Sequence, residues 1–214
     1  MVLLPRLEPP PRPARVVERP RVDTLLAAVA DYPITLVLAP AGGGKTIALA
    51  HFTRHCGWPF AWCRLDSADT PALLALHLAA AFRGLVALDE PRLAAAHPVD
   101  ALDLLINALT GLDDQTLLIL DDLQVADRRP ELRALLDHLL ARLPQQLRLV
   151  LLSREEPALA LLPTIEARGE LQRLSRADLA FSAAEARTLF DRYGMAELAL
   201  DAEFHLLARG WPLA

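Results

Sequence analysis

Ala39-Pro40-Ala41-Gly42-Gly43-Gly44-Lys45-Thr46 is the stretch that decides the reading of this chain. It meets the phosphate-loop pattern GxxxxGK[ST] once Ala39 stands in for the first glycine. Gly42, Gly43 and Gly44 allow the backbone to turn so that consecutive N–H groups face a phosphate, and Lys45 neutralises the outer phosphates. The Thr46 hydroxyl is a ligand for Mg²⁺. Nucleotide contacts are therefore expected along Pro40, Ala41, Gly42, Gly43, Gly44, Lys45, Thr46 and Ile47. Lys45 is the only lysine among 22 basic residues. A chain that otherwise uses guanidinium has a compact ammonium where a phosphate loop needs a point charge.

The flanks supply the context such a loop requires. Ile34-Thr35-Leu36-Val37-Leu38 is apolar on both sides, as in a buried parallel strand, and the sequence turns helical from Thr46. A helical pattern over Val22–Ala30 precedes that strand. A second strand runs from Pro59 to Leu65 and ends at Asp66, after which Thr70-Pro71 caps a long Ala/Leu helix reaching about Leu85. A third strand, Leu117-Leu118-Ile119-Leu120, runs into Asp121-Asp122. Leucines at 132, 135, 136, 139, 140 and 143 mark one face of the next helix. The fourth strand is Leu147 to Leu152, ending at Ser153-Arg154, and a fifth lies near Leu171–Leu174.

Alternating strands and helices predict an α/β, three-layer P-loop NTPase with a parallel five-stranded sheet. Placing the fourth strand between the phosphate-loop strand and the acidic strand gives the additional-strand class, order 5-1-4-3-2. In that arrangement Asp121 holds Mg²⁺ through water, Asp122 polarises the attacking water, and Arg154 senses or stabilises γ-phosphate charge. Lys45, Asp122 and Arg154 are thus the candidate catalytic residues, and Thr46 with Asp121 the candidate metal ligands.

Composition narrows the function. An apolar fraction of 53% over 214 residues fills a real core. A net charge of −5, with both signs interspersed, gives no electrostatic footprint for gripping nucleic acid or anionic lipid. No uninterrupted apolar run is long enough for a membrane span, and prolines break the start of the chain before any leader could form. Two cysteines, Cys56 and Cys63, at a spacing unlike a redox pair, point to a reducing cytoplasm. Guanine recognition by N/T-K-x-D is excluded by the absence of a second lysine, so ATP/ADP is the expected nucleotide. His51 and His55 stand four apart on a helix with Cys56 adjacent, but nothing in sequence completes a metal set, and a solvated helix face is expected. Asp66 and Asp69 are expected to cap local turns.

Residues 1–21 hold six prolines and read as an extended arm. Residues 22–178 form the P-loop ATPase domain. A capping box at Ser182-Ala183-Ala184-Glu185 and a further helix near Asp201 begin a helical lid over 179–214.

With these landmarks placed, the chain resembles the ATPase domain of STAND proteins, the signal-transduction ATPases with numerous domains. It is most similar to their branch of large LuxR-type transcriptional regulators. Val17-Glu18-Arg19-Pro20-Arg21-Val22 resembles the family's lead-in segment, Ala61-Trp62-Cys63-Arg64-Leu65-Asp66 its second strand, and Leu120-Asp121-Asp122-Leu123-Gln124 its acidic strand. Leu152-Ser153-Arg154 looks like its arginine sensor, and Ala177-Asp178-Leu179-Ala180-Phe181-Ser182 like its join to the lid. Gly210-Trp211-Pro212 is similar to a Gly-x-Pro motif whose proline packs near adenine, which implies Pro212 as a nucleotide contact. Gly43 departs from a usually bulky residue, and Gln124 from a frequent histidine.

The resemblance implies a regulatory switch, closed with ADP and opened by inducer plus ATP to self-associate, with slow Mg²⁺-dependent hydrolysis. Its partners would be adenine nucleotide, further copies and further domains beyond Ala214. The alternative is a P-loop enzyme whose turnover is its main activity.

Overall fold

The computed structural model describes residues 3–12 and 16–194. Its elements in order are α1 (Pro20–Ala27), β1 (Ile34–Leu38), α2 (Lys45–Thr53), β2 (Phe60–Arg64), α3 (Pro71–Ala81), α4 (Glu90–Ala95) and α5 (Pro98–Leu109). There follow β3 (Thr116–Asp121), α6 (Pro130–Ala141), β4 (Leu147–Ser153), α7 (Leu162–Ala167), β5 (Leu171–Leu174), α8 (Arg176–Leu179) and α9 (Ala183–Tyr193). The five strands form one sheet in the order β2-β3-β4-β1-β5, every pair parallel. Read from the other edge, this is the 5-1-4-3-2 order expected from the sequence.

Strand composition explains the layers. β3 is buried at all six positions, so both faces of the sheet must be covered. Leu118, Leu120, Leu149 and Leu151 pack in one core with Leu74, Leu78, Leu102, Leu105, Leu132 and Leu136 of α3, α5 and α6. The alternate residues Leu117, Ile119, Val150 and Leu152 pack in a second core with Val22, Leu26 and Leu49 of α1 and α2. The period of two along each strand thus separates the cores, and truncating one such leucine costs about 2–5 kcal/mol.

Three local details differ from the sequence expectation. Val22–Ala30 is helical but begins two residues earlier, with Pro20 in the first turn. The helix opened by Thr70, whose hydroxyl accepts from Leu73 N–H at 3.2 Å, ends at Ala81 and not near Leu85, because Phe82 caps it and Gly84 turns the chain at φ 89°. The stretch up to β3 then supplies α4 and α5, two helices that complete the first core.

Register places the chemistry. Leu38 pairs with Ser153 and Arg64 with Asp121, so β1, β2, β3 and β4 finish at one edge of the sheet. β1 lies between β4 and β5, and the phosphate loop leaves it where the order of strands reverses. That is the crevice where open α/β sheets bind their ligands.

Candidate nucleotide-binding site

The phosphate loop is shaped by its glycines. Gly42 and Gly44 adopt φ 72° and 80°, a region that side chains with a Cβ rarely visit. Gly43 leaves no room for one: a Cβ there would meet Ala39 Cβ at 2.7 Å and the Pro40 carbonyl at 2.9 Å. The loop closes on itself through Gly43 N–H donating to the Pro40 carbonyl at 3.0 Å. α2 begins at Lys45, so its N-terminal N–H groups add a positive field at the same place.

Lys45 is buried and donates to the carbonyls of Ala39 and Pro40. Burial lowers the pKa of its ammonium; Asp121 opposes that shift and Arg154 adds to it. The Thr46 hydroxyl donates to Asp121 Oδ1 at 3.2 Å, which ties the loop to the acidic strand. The same Oδ1 accepts from Asp122 N–H at 3.0 Å. Asp121 Oδ2 is buried with no hydrogen-bond partner among the described residues. A carboxylate so arranged beside a threonine hydroxyl fits a hydrated divalent cation, whose ligands are hard oxygens. Burial raises the pKa of Asp121 and the Asp122 carboxylate adds to this, while Arg64, Asp122 N–H and Thr46 oppose it.

Asp122 is the one described non-glycine residue with positive φ, at 58°. Its Oδ1 accepts from Gln124 Nε2 at 2.9 Å and lies 3.5 Å from Arg154 Nη2. Gln124 Oε1 in turn accepts from Arg154 N–H at 3.2 Å. Acidic strand and arginine strand are therefore joined through Gln124, which in sequence looked only like a replacement for histidine.

A cavity of about 400 Å³ opens beside the loop, lined by Gly42, Gly43, Gly44, Lys45, Thr46 and Ile47. Its far wall is apolar, formed by Val16, Val17, Val22, Phe181 and Leu189 with Tyr193. Residue type and periodicity gave no sign of this wall. Only the lead-in and lid-join resemblances touch it. It is assembled by Arg19, whose guanidinium lies 4.3 Å from the Phe181 ring centroid and whose Nη2 donates to the Leu179 and Ala180 carbonyls at 2.8 Å each. Arg19 also pairs with Glu185 at 3.5 Å. Glu185 completes the expected capping box, its Oε2 accepting from Ser182 N–H at 2.8 Å.

Other sequence candidates resolve plainly. His51 is not on a solvated face: it lines the cavity and lies 3.8 Å from Asp23. His55 Nδ1 donates to the His51 carbonyl at 2.8 Å, and among the described residues no cluster of three potential metal ligands occurs. Asp66 caps a turn through Ala68 N–H at 2.9 Å. Asp69 accepts from Asp66 N–H at 2.8 Å and also holds Arg6. No described helix is long and apolar enough to cross a membrane. Pro212 and the helix expected near Asp201 lie outside the described residues.

Fold and site together define the P-loop NTPase class, in its additional-strand form. The comparisons add relatives in sequence and neighbours in fold. The chain is 29% identical over 199 residues to the HTH-type transcriptional regulator MalT of Yersinia enterocolitica and, to the same degree, to that of Serratia proteamaculans. These matches cover 89% of this chain and 22% of each relative, so the chain spans about a fifth of the length of the curated relatives it matches.

Among solved structures, it is similar to the STAND protein with a tetratricopeptide repeat sensor from Pyrococcus horikoshii. The TM-score is 0.63 at 17% identity, over 95% of this chain and 30% of that one. The Walker-type ATPase of Pyrococcus abyssi gives 0.59 at 17% identity, over 96% and 67%. No protein-family model matches the chain.

Proposed function

We propose that this chain is an ATP/ADP-binding switch domain of a transcriptional regulator, with slow Mg²⁺-dependent hydrolysis serving regulation. The observation that carries the proposal is the convergence of Lys45, Thr46, Asp121, Asp122 and Arg154 at one edge of the sheet, beside a cavity with an apolar wall. The phosphate chain lies along Pro40 to Ile47, where loop N–H groups and the Lys45 ammonium offset its charge. Thr46 and Asp121 would hold Mg²⁺, which would supply neutralisation of phosphate charge. Asp122 orients the attacking water and accepts its proton, and Arg154 exchanges its contact with Asp122 for the γ-phosphate. The base enters between Val17, Phe181 and Leu189, whose apolar side chains offer a surface for stacking a purine. Residues 179–214 are assigned as the start of a lid, residues 1–21 as an arm, and Pro212 as a nucleotide contact.

The regulatory reading draws support from the likeness to MalT, named as a transcriptional regulator, and to a STAND protein. Self-association, further domains and a cytoplasmic setting belong to the same proposal. Calorimetric titration with ATP, ADP and GTP in Mg²⁺ tests the site: adenine nucleotides bind and GTP binds more weakly. Steady turnover stays below about 1 s⁻¹, the low end of enzyme rates. Failure of both adenine nucleotides to bind at millimolar concentration overturns the proposal, and faster turnover transfers it to a working ATPase.

A further inference from the structure

At the carboxyl end of β2, Arg64 stands opposite Asp121 in the parallel ladder. Its Nε comes within 3.5 Å of Asp121 Oδ2, and neither of these buried atoms has a hydrogen-bond partner among the described residues. The two oxygens of Asp121 are thus used differently. Oδ1 takes the hydrogen bonds of Thr46 and of Asp122 N–H, while Oδ2 faces a cation at ion-pair distance. The Asp121 side chain is 2% exposed and that of Arg64 39%, so the pair is buried on the carboxylate side and open to solvent on the other.

The backbone of Arg64 is held in place. Its carbonyl accepts from Arg6 Nε at 2.9 Å and Arg6 Nη2 at 2.6 Å, and Arg6 is locked in turn by Asp69. A tethered positive charge is therefore anchored beside the carboxylate proposed as a metal ligand.

We propose that Arg64 is a positioning residue: it supplies the counter-charge of Asp121 and so sets how tightly the site takes a divalent cation. The inference rests on the reading of Thr46 and Asp121 as metal ligands. A site with few protein ligands holds Mg²⁺ mainly through local negative charge. A guanidinium on the same carboxylate offsets part of that charge and opposes the metal. Only a partly exposed pair is involved, so the effect is moderate: removing the guanidinium should tighten Mg²⁺ roughly two- to fivefold, the span of such pairs.

The test titrates Mg²⁺ into the full chain with fluorescently labelled ADP, for wild type, Arg64→Gln, Arg64→Met and Arg64→Lys, with melting curves run in parallel. Mn²⁺ binding without nucleotide, followed by electron paramagnetic resonance, gives a second readout. Expected are a Mg²⁺ midpoint roughly two- to fivefold lower in Arg64→Gln and Arg64→Met, a matching shift for Mn²⁺, and a wild-type midpoint in Arg64→Lys, which keeps the charge. Methionine retains the packed stem, so it carries the test if glutamine disturbs the fold. Unchanged midpoints in both neutral variants overturn the inference, as does a lysine variant that shifts with them. If wild type binds labelled ADP normally in those experiments, only the role of Arg64 falls. If it binds no ADP with or without Mg²⁺, the nucleotide-site reading fails and takes this inference with it.

Discussion

Asp122 Oδ1 lies 3.5 Å from Arg154 Nη2, and the carboxylate is presented there by a left-handed backbone at φ 58°. Aspartate and asparagine tolerate that conformation better than most residues, so Asp122→Asn preserves the turn. It removes a negative charge close to the phosphates and deprives the attacking water of its acceptor. ATP affinity should hold or rise, while hydrolysis per bound nucleotide falls by about 100-fold or more, within the range of general base catalysis. Calorimetry and single-turnover phosphate release measure the two quantities. Lost binding with normal hydrolysis per bound nucleotide would make Asp122 structural.

Lys45→Ala separates binding from chemistry at the other end of the site. The variant removes the ammonium facing two or three phosphate charges, and a charge-assisted contact of this kind is worth about 1.5–3 kcal/mol. Nucleotide affinity should drop roughly ten- to a hundredfold. Titrations of ATP and ADP check it, and an undiminished affinity would remove Lys45 from the phosphate site.

The contrast between these two residues and the apolar wall shows what a sequence makes visible. Gly42 to Thr46 and Asp121-Asp122 are consecutive, each run closing or following one strand, so chain order alone places them once the strands are parallel. The wall joins Val17 to Phe181 and Leu189, more than 160 positions away, through an Arg19 guanidinium bound to backbone carbonyls. Carbonyl acceptors have no residue identity, and such a clamp leaves no mark in composition or period. Arg6 was obscured for the same reason. Among prolines it read as part of an extended arm, yet two of its bonds go to the Arg64 carbonyl and two to Asp69.

That docking makes Arg6 a stability residue. Asp69 is 1% exposed and its counter-ion Arg6 14%, so Arg6→Ala leaves a buried carboxylate without its principal partner. Breaking a buried pair in this one-sided way costs about 3–5 kcal/mol. Urea denaturation should give a midpoint shift of that size with an unchanged slope. A loss below about 1 kcal/mol, the ceiling for exposed pairs, would mean that the arm is dispensable to the fold.

His77 adds a pH dependence. It is buried, and its Nδ1 lies 3.5 Å from Asp69 Oδ1. Burial lowers its pKa, the Arg6 guanidinium lowers it further, and Asp69 opposes. A histidine depressed in the folded state contributes stability above its unfolded pKa of about 6.5 and loses it as pH falls through the folded value. The melting temperature should therefore fall from pH 6.5 downward. His77→Gln, which cannot titrate, should flatten that fall. An equally steep profile in the variant would assign the acid sensitivity to other groups, among them His51, which burial also depresses.

Gly43 offers the most specific test of the loop, because its constraint is crowding alone. It is absent from the positive-φ glycines, which in the loop are Gly42 and Gly44, so alanine is compatible with its backbone. The added Cβ would meet Ala39 Cβ at 2.7 Å and the Pro40 carbonyl at 2.9 Å, and neither neighbour is the end of a flexible side chain. The loop must open, which tilts the N–H groups that face the phosphates. Gly43→Ala should therefore weaken ADP binding by about 1–2 kcal/mol, at the lower end of overpacking costs, or roughly five- to thirtyfold. Ala39→Gly removes the nearer of the two contacts. The double variant Ala39→Gly/Gly43→Ala should recover part of the loss, so the cycle gives a favourable coupling between the two positions. Ala39 together with Gly43 accounts for the local fit of the loop. Wild-type affinity in Gly43→Ala, or no recovery in the double variant, would show that the loop adapts freely and that the close contacts at Gly43 do not govern phosphate binding.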